Sequence, residues 1–283
     1  MRHPILLAAA LATAGVVAGC AEKDPNATVE RAFEDVNALD GNDLSDVMLT
    51  VADPTEAVSY FQRSLAQNPE RIDLQRGLAA SLVRAKRVTE GVTEWKKTVD
   101  MPGATADDGV EYADALIRSG DWATAEKVLD TIPPTHETFK RYRLEAIVAD
   151  SNQEWQKADS FYEIAVGLTT SPASVMNNWG YSKLTRGDYP AAERLFSDAI
   201  RQDGDLFTAK NNLVLARAAQ RDYTLPVVPM DQAERAQLLH TMALSAVKQG
   251  DVETGKGLLR EAIDTHPQHF DEAVRSLRAL ENG

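Results

Sequence analysis

Small and bulky apolar residues recur among polar ones at one fixed interval along most of the chain. One set of small residues is spaced by 33 or 34 positions: Ala57, Gly91, Ala125, Ala158 and Ala192. Gly255 follows close to two intervals later, and a bulky residue lies four positions after each small one: Phe61, Trp95, Leu129, Tyr162, Phe196 and Leu259. Because residues four apart share one face of an α-helix, the pattern predicts one amphipathic helix in every interval.

A second set of small residues precedes the first by about twelve positions and predicts a second helix in each interval. Its members are Ala79, Ala113, Ala146, Gly180 and Ala243. Small residues let two helices cross closely, since a large side chain at that point would hold the backbones apart. Gly-Asp pairs at 120–121, 187–188 and 250–251 predict the turns, with glycine ending one helix and aspartate capping the next. No β-strand is expected.

This interval resembles the tetratricopeptide repeat, whose 34-residue unit is a pair of antiparallel helices. In phase, the units cover 38–71, 72–105, 106–138, 139–172, 173–206 and 236–269. The resemblance implies an all-α superhelical solenoid over residues 38–269, in which each unit buries its apolar face against its neighbours. Residues 270–283 are expected to form a C-terminal capping helix.

One unit, 207–235, departs from the pattern. Residues 207–221 are typical of a first helix, but Pro226 and Pro229 stand where the second helix should be. Prolines inside a helix remove hydrogen bonds and clash with the preceding turn. Two interpretations of Leu225–Met230 remain open at this stage. Its valines fill the core of an irregular unit, or the segment is an exposed hook for a partner.

The beginning of the chain predicts export and lipid attachment. Arg2 precedes an apolar stretch over 5–17 that is too short to span a bilayer, as in a secretory signal peptide. The stretch ends in Val17-Ala18-Gly19-Cys20, which resembles the lipobox of bacterial lipoproteins. That resemblance implies removal of residues 1–19 and acylation of Cys20, the only cysteine. The alternative is a signal-anchor helix that buries the cysteine.

Residues 20–37 are expected to form a lipid-anchored tether with a short helix over 28–37. By comparison with lipoproteins of enteric bacteria, Ala21 implies transfer to the periplasmic face of the outer membrane rather than retention in the inner membrane.

Charge and composition exclude several classes of function. With 30 Lys+Arg against 43 Asp+Glu, the net charge of −13 repels nucleic acid and favours a protein partner. The sequence has no glycine-rich phosphate loop and no nucleophile elbow. His266 and His269 lie at a turn without a cysteine or carboxylate cluster that would complete a metal site. We expect no enzyme activity, cofactor, metal or small-molecule substrate.

In tetratricopeptide repeats the first helices line a concave groove, and the second, fifth and ninth residues of each unit should face it. The candidate partner-binding residues are Lys140, Arg143, Asn177, Tyr181, Asn211 and Leu215. Asn177 and Asn211 occupy equivalent positions, where carboxamides would donate and accept hydrogen bonds with an extended peptide. The alternative is that both asparagines face solvent without a ligand. Trp122, Trp155 and Tyr189 begin helices and are expected to be packing residues.

A lipobox followed by such repeats is similar to pilotin-like proteins and to the TadD family of tight-adherence (Flp) pilus assembly lipoproteins. Residues 177–189 and 210–213 carry the resemblance to that family. It implies a role in Flp pilus assembly, by helping the outer-membrane secretin to localise or oligomerise. The alternative is a general envelope scaffold that recruits cell-wall enzymes and has no connection with pili.

Replacement of the lipobox cysteine tests the predicted anchor. Cys20→Ser removes the thiol that would carry the diacylglycerol, so radiolabelled palmitate should enter the wild-type protein and not the variant. Equal incorporation into both proteins would rule out lipidation at this residue.

Overall fold

The computed structural model describes residues 41–282, and within that range the chain forms fourteen α-helices and no β-strand. The first helices of successive units are α1 (Gly41–Thr50), α3 (Ile72–Arg84), α5 (Ala106–Ser119), α7 (Phe139–Ser151), α9 (Ala173–Thr185), α11 (Phe207–Ala219) and α12 (Gln232–Lys248). The second helices are α2 (Pro54–Gln67), α4 (Val88–Asp100), α6 (Trp122–Asp130), α8 (Trp155–Gly167), α10 (Tyr189–Gln202) and α13 (Val252–Thr265). The last helix is α14 (Asp271–Glu281).

Contacts between helices follow the order of the chain. Each helix packs chiefly against the next, and the first helices of neighbouring units also meet, as α1 and α3, α5 and α7, and α9 and α11 do. This arrangement is the all-α tetratricopeptide-repeat solenoid that the periodic pattern predicted. The predicted signal peptide, Cys20 and the predicted tether over 20–37 lie outside the described residues. None of the helices between residues 41 and 282 has the length and apolar character needed to cross a membrane.

The turn that follows the first helix has the same backbone shape in six of the units, all except the first. Gly120, Gly187 and Gly250 have φ angles of 85°, 83° and 85°, in the left-handed region that glycine enters without steric cost. Equivalent positions in three other units hold residues with side chains at φ angles of 60° or 61°: Lys86, Gln153 and Arg221. The turn is therefore fixed by the helix packing on either side, because residues that disfavour this conformation still adopt it.

The two sets of small residues mark the places where helices cross. Ala57, Ala79, Ala113 and Ala146 are completely buried. A Cβ atom added to Gly180 in α9 would lie 2.7 Å from Cε1 of Phe196 in α10, closer than carbon atoms can approach. Since Phe196 is itself fully buried, its ring has no free space to enter. A small residue is a steric requirement at these positions.

The irregular unit fills its core with an extended segment instead of a helix. Leu225 and Met230 pack beside the cluster of Val214, Leu238 and Met242, and Val228 packs beside the cluster that contains Phe196. Val227, by contrast, is fully exposed. The segment over 225–230 therefore agrees in part with both interpretations. Val228 packs against the core, whereas Val227 is exposed to solvent.

The helix after the extended segment starts before the boundary of the repeat phase at Ala236. Helix α12 begins at Gln232, because Asp231 caps it and forms a reciprocal capping box with Glu234. Glu234 also accepts a hydrogen bond from Nζ of Lys210 at 2.8 Å, and the Lys210 side chain is only 2% exposed. This buried ion pair joins α11 directly to the first turn of α12, where regular units have an intervening helix.

A buried ion pair also connects the second and third units. Arg76 donates from Nε and Nη2 to the two carboxylate oxygens of Asp108 at 2.6 and 2.7 Å, and Asp108 is 3% exposed. Burial opposes ionisation of this carboxyl group. The hydrogen bonds from Arg76 and from the backbone N–H of Thr105 outweigh burial, so the pKa of Asp108 lies below its ordinary value.

The close crossing of α9 and α10 predicts the effect of a larger residue. In Gly180→Leu the new side chain would meet the Phe196 ring, and the free energy of unfolding should fall by about 1–3 kcal/mol in urea titrations. Gly257→Leu is a matched control, because a Cβ at this exposed position in α13 meets nothing within 4 Å. Leucine there should raise stability by up to about 0.8 kcal/mol. Equal stabilities of the two variants would contradict the assigned crossing.

The Arg76–Asp108 pair predicts a pH-dependent contribution to stability. Because the pKa of Asp108 is lowered in the folded protein, the stabilisation is present above the ordinary pKa of 3.8 and is lost as the pH falls through the lower, folded value. Asp108→Asn should therefore cost about 1.5–3 kcal/mol at neutral pH and much less in strong acid. Urea unfolding across this pH range measures the difference, with the exposed Asp205→Asn as control. A penalty that does not depend on pH would contradict this role.

Candidate peptide-binding groove

A groove of about 870 Å³ crosses the first helices of three consecutive units. Helices α7, α9 and α11 form most of its lining, and the remainder comes from the start of α6, from α8 and from Leu206. Because equivalent positions recur at each repeat, side chains of the same register face the groove from α9 and α11. The cavity is therefore a product of the solenoid and not of a single loop.

Four accessible aromatic side chains line the groove: Trp122, Trp155, Tyr181 and Phe207. Tyr162 lies beneath them and is only 2% exposed. Tyr181 is 54% exposed and Trp122 is 37% exposed, which leaves large apolar surfaces accessible. The guanidinium group of Arg186 lies 5.5 Å from the centroid of the Trp155 ring. Trp122 and Trp155, which are expected to be packing residues, also line the groove, because the start of a second helix lies beside it.

Two asparagines at equivalent positions line the groove, and both already use their carbonyl oxygens. Nδ2 of Asn212 donates to Oδ1 of Asn177 at 3.0 Å. The hydroxyl of Thr241 donates to Oδ1 of Asn211 at 2.9 Å. The side-chain NH₂ groups of Asn177 and Asn211 have no acceptor among residues 41–282. Each carboxamide thus keeps a free NH₂ donor and, because its oxygen has two lone pairs, one further acceptor position.

Of the six candidate residues, only Asn177, Tyr181 and Asn211 meet at this groove. The other three do not line it: Lys140, Arg143 and Leu215. Lys140 pairs with Glu111 at 2.6 Å and Asp114 at 3.3 Å. Nε of Arg143 is buried without an acceptor among the described residues, and Leu215 is half-buried.

The floor of the groove contains one carboxyl group, that of Asp150 in α7. It accepts hydrogen bonds from the Ser182 hydroxyl at 2.6 Å and from the Tyr162 hydroxyl at 2.9 Å. Burial raises the pKa of Asp150 despite these two bonds. Burial, followed by the nearby Asp150 charge, also raises the pKa of Tyr162.

Cations next to the groove are paired with another carboxylate. Asp159 in α8 accepts hydrogen bonds from Nζ of Lys183 at 2.8 Å, from Nη2 of Arg186 at 2.5 Å and from the Trp179 indole at 2.6 Å. Burial opposes ionisation, but these three bonds keep the pKa of Asp159 below its ordinary value. No lysine or arginine is among the described residues that line the groove. Apart from Asp150, the lining therefore combines aromatic and aliphatic side chains with uncharged hydroxyl and carboxamide groups.

A smaller cavity of about 430 Å³ adjoins the groove and shares Phe207 and Asn211 with it. Its far wall is the Phe270 ring, which contacts His266 at a centroid distance of 4.9 Å and His240 at 5.4 Å. Burial lowers the pKa of His240. In the part of the chain that the structure describes, no three His, Cys, Asp or Glu side chains come close enough together to hold a metal ion.

Comparisons with known proteins agree with this architecture. Residues 177–225, which include most of α9, all of α10 and α11, match the tetratricopeptide-repeat family model. A search of curated protein sequences gives no match to the chain.

Several solved structures are similar in fold. The chain is 11% identical to the anaphase-promoting complex protein in the Cut9–Hcn1 hetero-tetramer, with a TM-score of 0.62. The match covers 89% of this chain and 51% of that one. A tetratricopeptide-repeat protein from Parabacteroides merdae is 11% identical over 91% of this chain and 98% of its own, with a TM-score of 0.56. The C-terminal part of a repeat protein from Cytophaga hutchinsonii is 13% identical over 83% and 98%, also with a TM-score of 0.56. The chain thus spans about half the length of the Cut9–Hcn1 chain, and at these identities the likeness concerns the fold alone.

Proposed function

We propose that this protein is a non-catalytic scaffold that binds an extended segment of a protein partner in the groove across α7, α9 and α11. The observation that carries the proposal is Tyr181, a large aromatic residue that is 54% exposed inside a groove rather than packed in the core. Exposed aromatic residues in a concave site are typical anchors for a ligand. The free NH₂ groups of Asn177 and Asn211 lie in the same lining and can bind main-chain carbonyl oxygens.

The finer part of the proposal is a lipid-anchored protein of the outer membrane that faces the periplasm and takes part in Flp pilus assembly. It is supported by the lipobox ending in Cys20 and by the resemblance of residues 177–189 and 210–213 to the TadD family. These two stretches supply Asn177, Tyr181 and Asn211, so the residues that carry the resemblance include those of the groove. The expected partner is the secretin or another pilus assembly component. A cell-wall enzyme as partner would instead favour the general envelope scaffold.

Site-specific photo-crosslinking tests the groove and identifies its partner in one experiment. A benzophenone amino acid in place of Tyr181 should crosslink to a specific envelope protein in the native host, because this side chain lies in the proposed contact. The same amino acid at Ile164 is the matched control, since Ile164 is 41% exposed on α8 and does not line the groove.

Mass spectrometry of the crosslinked product then separates the two functions. A secretin or pilus component captured at position 181 and not at 164 would support pilus assembly. Capture of a cell-wall enzyme would contradict pilus assembly and support the alternative scaffold. Identical crosslinks at the two positions, or none at 181, would remove the groove from the function.

A further inference from the structure

The charge of the groove comes from a single side chain. Asp150 in α7 is the one charged residue among the described residues that line it. Its two carboxylate oxygens accept hydrogen bonds from uncharged hydroxyl groups, those of Ser182 and Tyr162. None of the ion pairs between residues 41 and 282 includes Asp150. Because an ionised carboxylate can accept about four hydrogen bonds, each oxygen of Asp150 can also accept from a ligand.

Other partly buried aspartates of the array differ from Asp150 in having a cationic partner. Burial opposes ionisation of Asp108 and Asp159, but hydrogen bonds from Arg76 to Asp108 and from Lys183 to Asp159 bring both pKa values below the ordinary value. The pKa of Asp150 is raised, because its two hydroxyl donors do not offset burial. A cation beside Asp150 would favour its ionised form, as the cations do at the other two sites.

Aromatic rings in the same groove can also contact a cation. Tyr181 is 54% exposed, and Trp155 lines the groove beside it. The face of an aromatic ring attracts cations, and the Trp155 ring already lies 5.5 Å from the guanidinium group of Arg186. Arg186 itself is bonded to Asp159 and does not line the groove, so it leaves Asp150 without an ion pair.

The charge of the chain as a whole favours a basic ligand as well. Over the full sequence the net charge is −13, which attracts basic segments and raises their rate of association. In the groove an acidic side chain would meet Asp150 as a like charge, and a neutral one would cover the carboxylate without a counter-ion. Since it is costly to bury an unpaired charge, a basic side chain is the group that matches this lining.

We propose that the groove binds a segment of a protein partner through an arginine or lysine side chain that forms an ion pair with Asp150. This inference rests on the proposed function, since it specifies the chemistry of the ligand in the same groove. The apolar stem of the basic side chain lies against Tyr181 and Trp155. Asn177 and Asn211 bind the main chain of the segment beside it.

Two capped synthetic peptides test the inference by isothermal titration calorimetry on the unaltered protein. The probe is acetyl-Ser-Leu-Arg-Leu-Ser-amide, and the comparison peptide has citrulline, the uncharged isostere of arginine, in the central position. The arginine peptide should bind at least about tenfold more tightly, because charge-assisted hydrogen bonds to a carboxylate are stronger than neutral ones. Equal affinity of the two peptides, or no binding of either, would overturn the inference.

A single substitution assigns the preference to Asp150. Asp150→Asn keeps a carbonyl acceptor and removes the charge, so the ratio of the two affinities should fall from about tenfold to near one, while the citrulline peptide binds as before. A purely structural role of Asp150 would weaken both peptides equally. Asp264→Asn removes the same charge from an exposed position of α13 that does not line the groove, and it should leave the ratio unchanged.

Circular dichroism checks that both variants fold. A folded Asp150→Asn variant that still prefers the arginine peptide would contradict the ion pair. If this variant does not fold, the comparison of the two peptides on the unaltered protein still tests whether the groove selects a basic side chain.

The crosslinking experiment at Tyr181 keeps this inference separate from the proposed function. If the arginine peptide shows no preference while crosslinks specific to position 181 still form, the ligand chemistry is wrong and the groove remains the binding site. If neither is observed, both proposals fail.

Discussion

Close approach of paired helices is the constraint on which the rest of this structure depends. The helices of a unit cross where a residue with little or no side chain stands, as Gly180 does against Phe196. Each crossing fixes the distance between two helices, and the bulky residue opposite fills the space that remains. Repetition of this contact sets the register of the first helices, so residues 34 apart in the chain meet side by side. Asn177 and Asn211 are brought together in this way.

The sequence was sufficient to predict those structural features that every unit must repeat. The small and bulky sets predicted the helix pairs, because a crossing tolerates few residue types. The left-handed backbone conformation of the turns could be predicted only where glycine occupies the position. Lys86, Gln153 and Arg221 adopt the same conformation without a local signal, since the packing of the flanking helices imposes it.

The candidate site could be predicted only in part. Its register followed from the repeat, which explains why Asn177, Tyr181 and Asn211 share the groove. The hydrogen bonds of the asparagine oxygens could not be foreseen, because they depend on Asn212 and on Thr241 in another unit. The start of α12 at Gln232 could not be foreseen for a related reason. It depends on a capping box at Asp231 and on the buried Lys210–Glu234 pair, neither of which follows the period of the array.

A partner that lies across the first helices must contact the free carboxamide NH₂ groups of the groove. Nuclear magnetic resonance of ¹⁵N-labelled protein can observe those groups directly while the crosslinked partner, once identified, is titrated in. The side-chain NH₂ resonances of Asn177 and Asn211 should shift, while that of the distant Asn68 should not. Shifts confined to the exposed segment around Val227 or to the second helices would show that the partner does not bind in the groove.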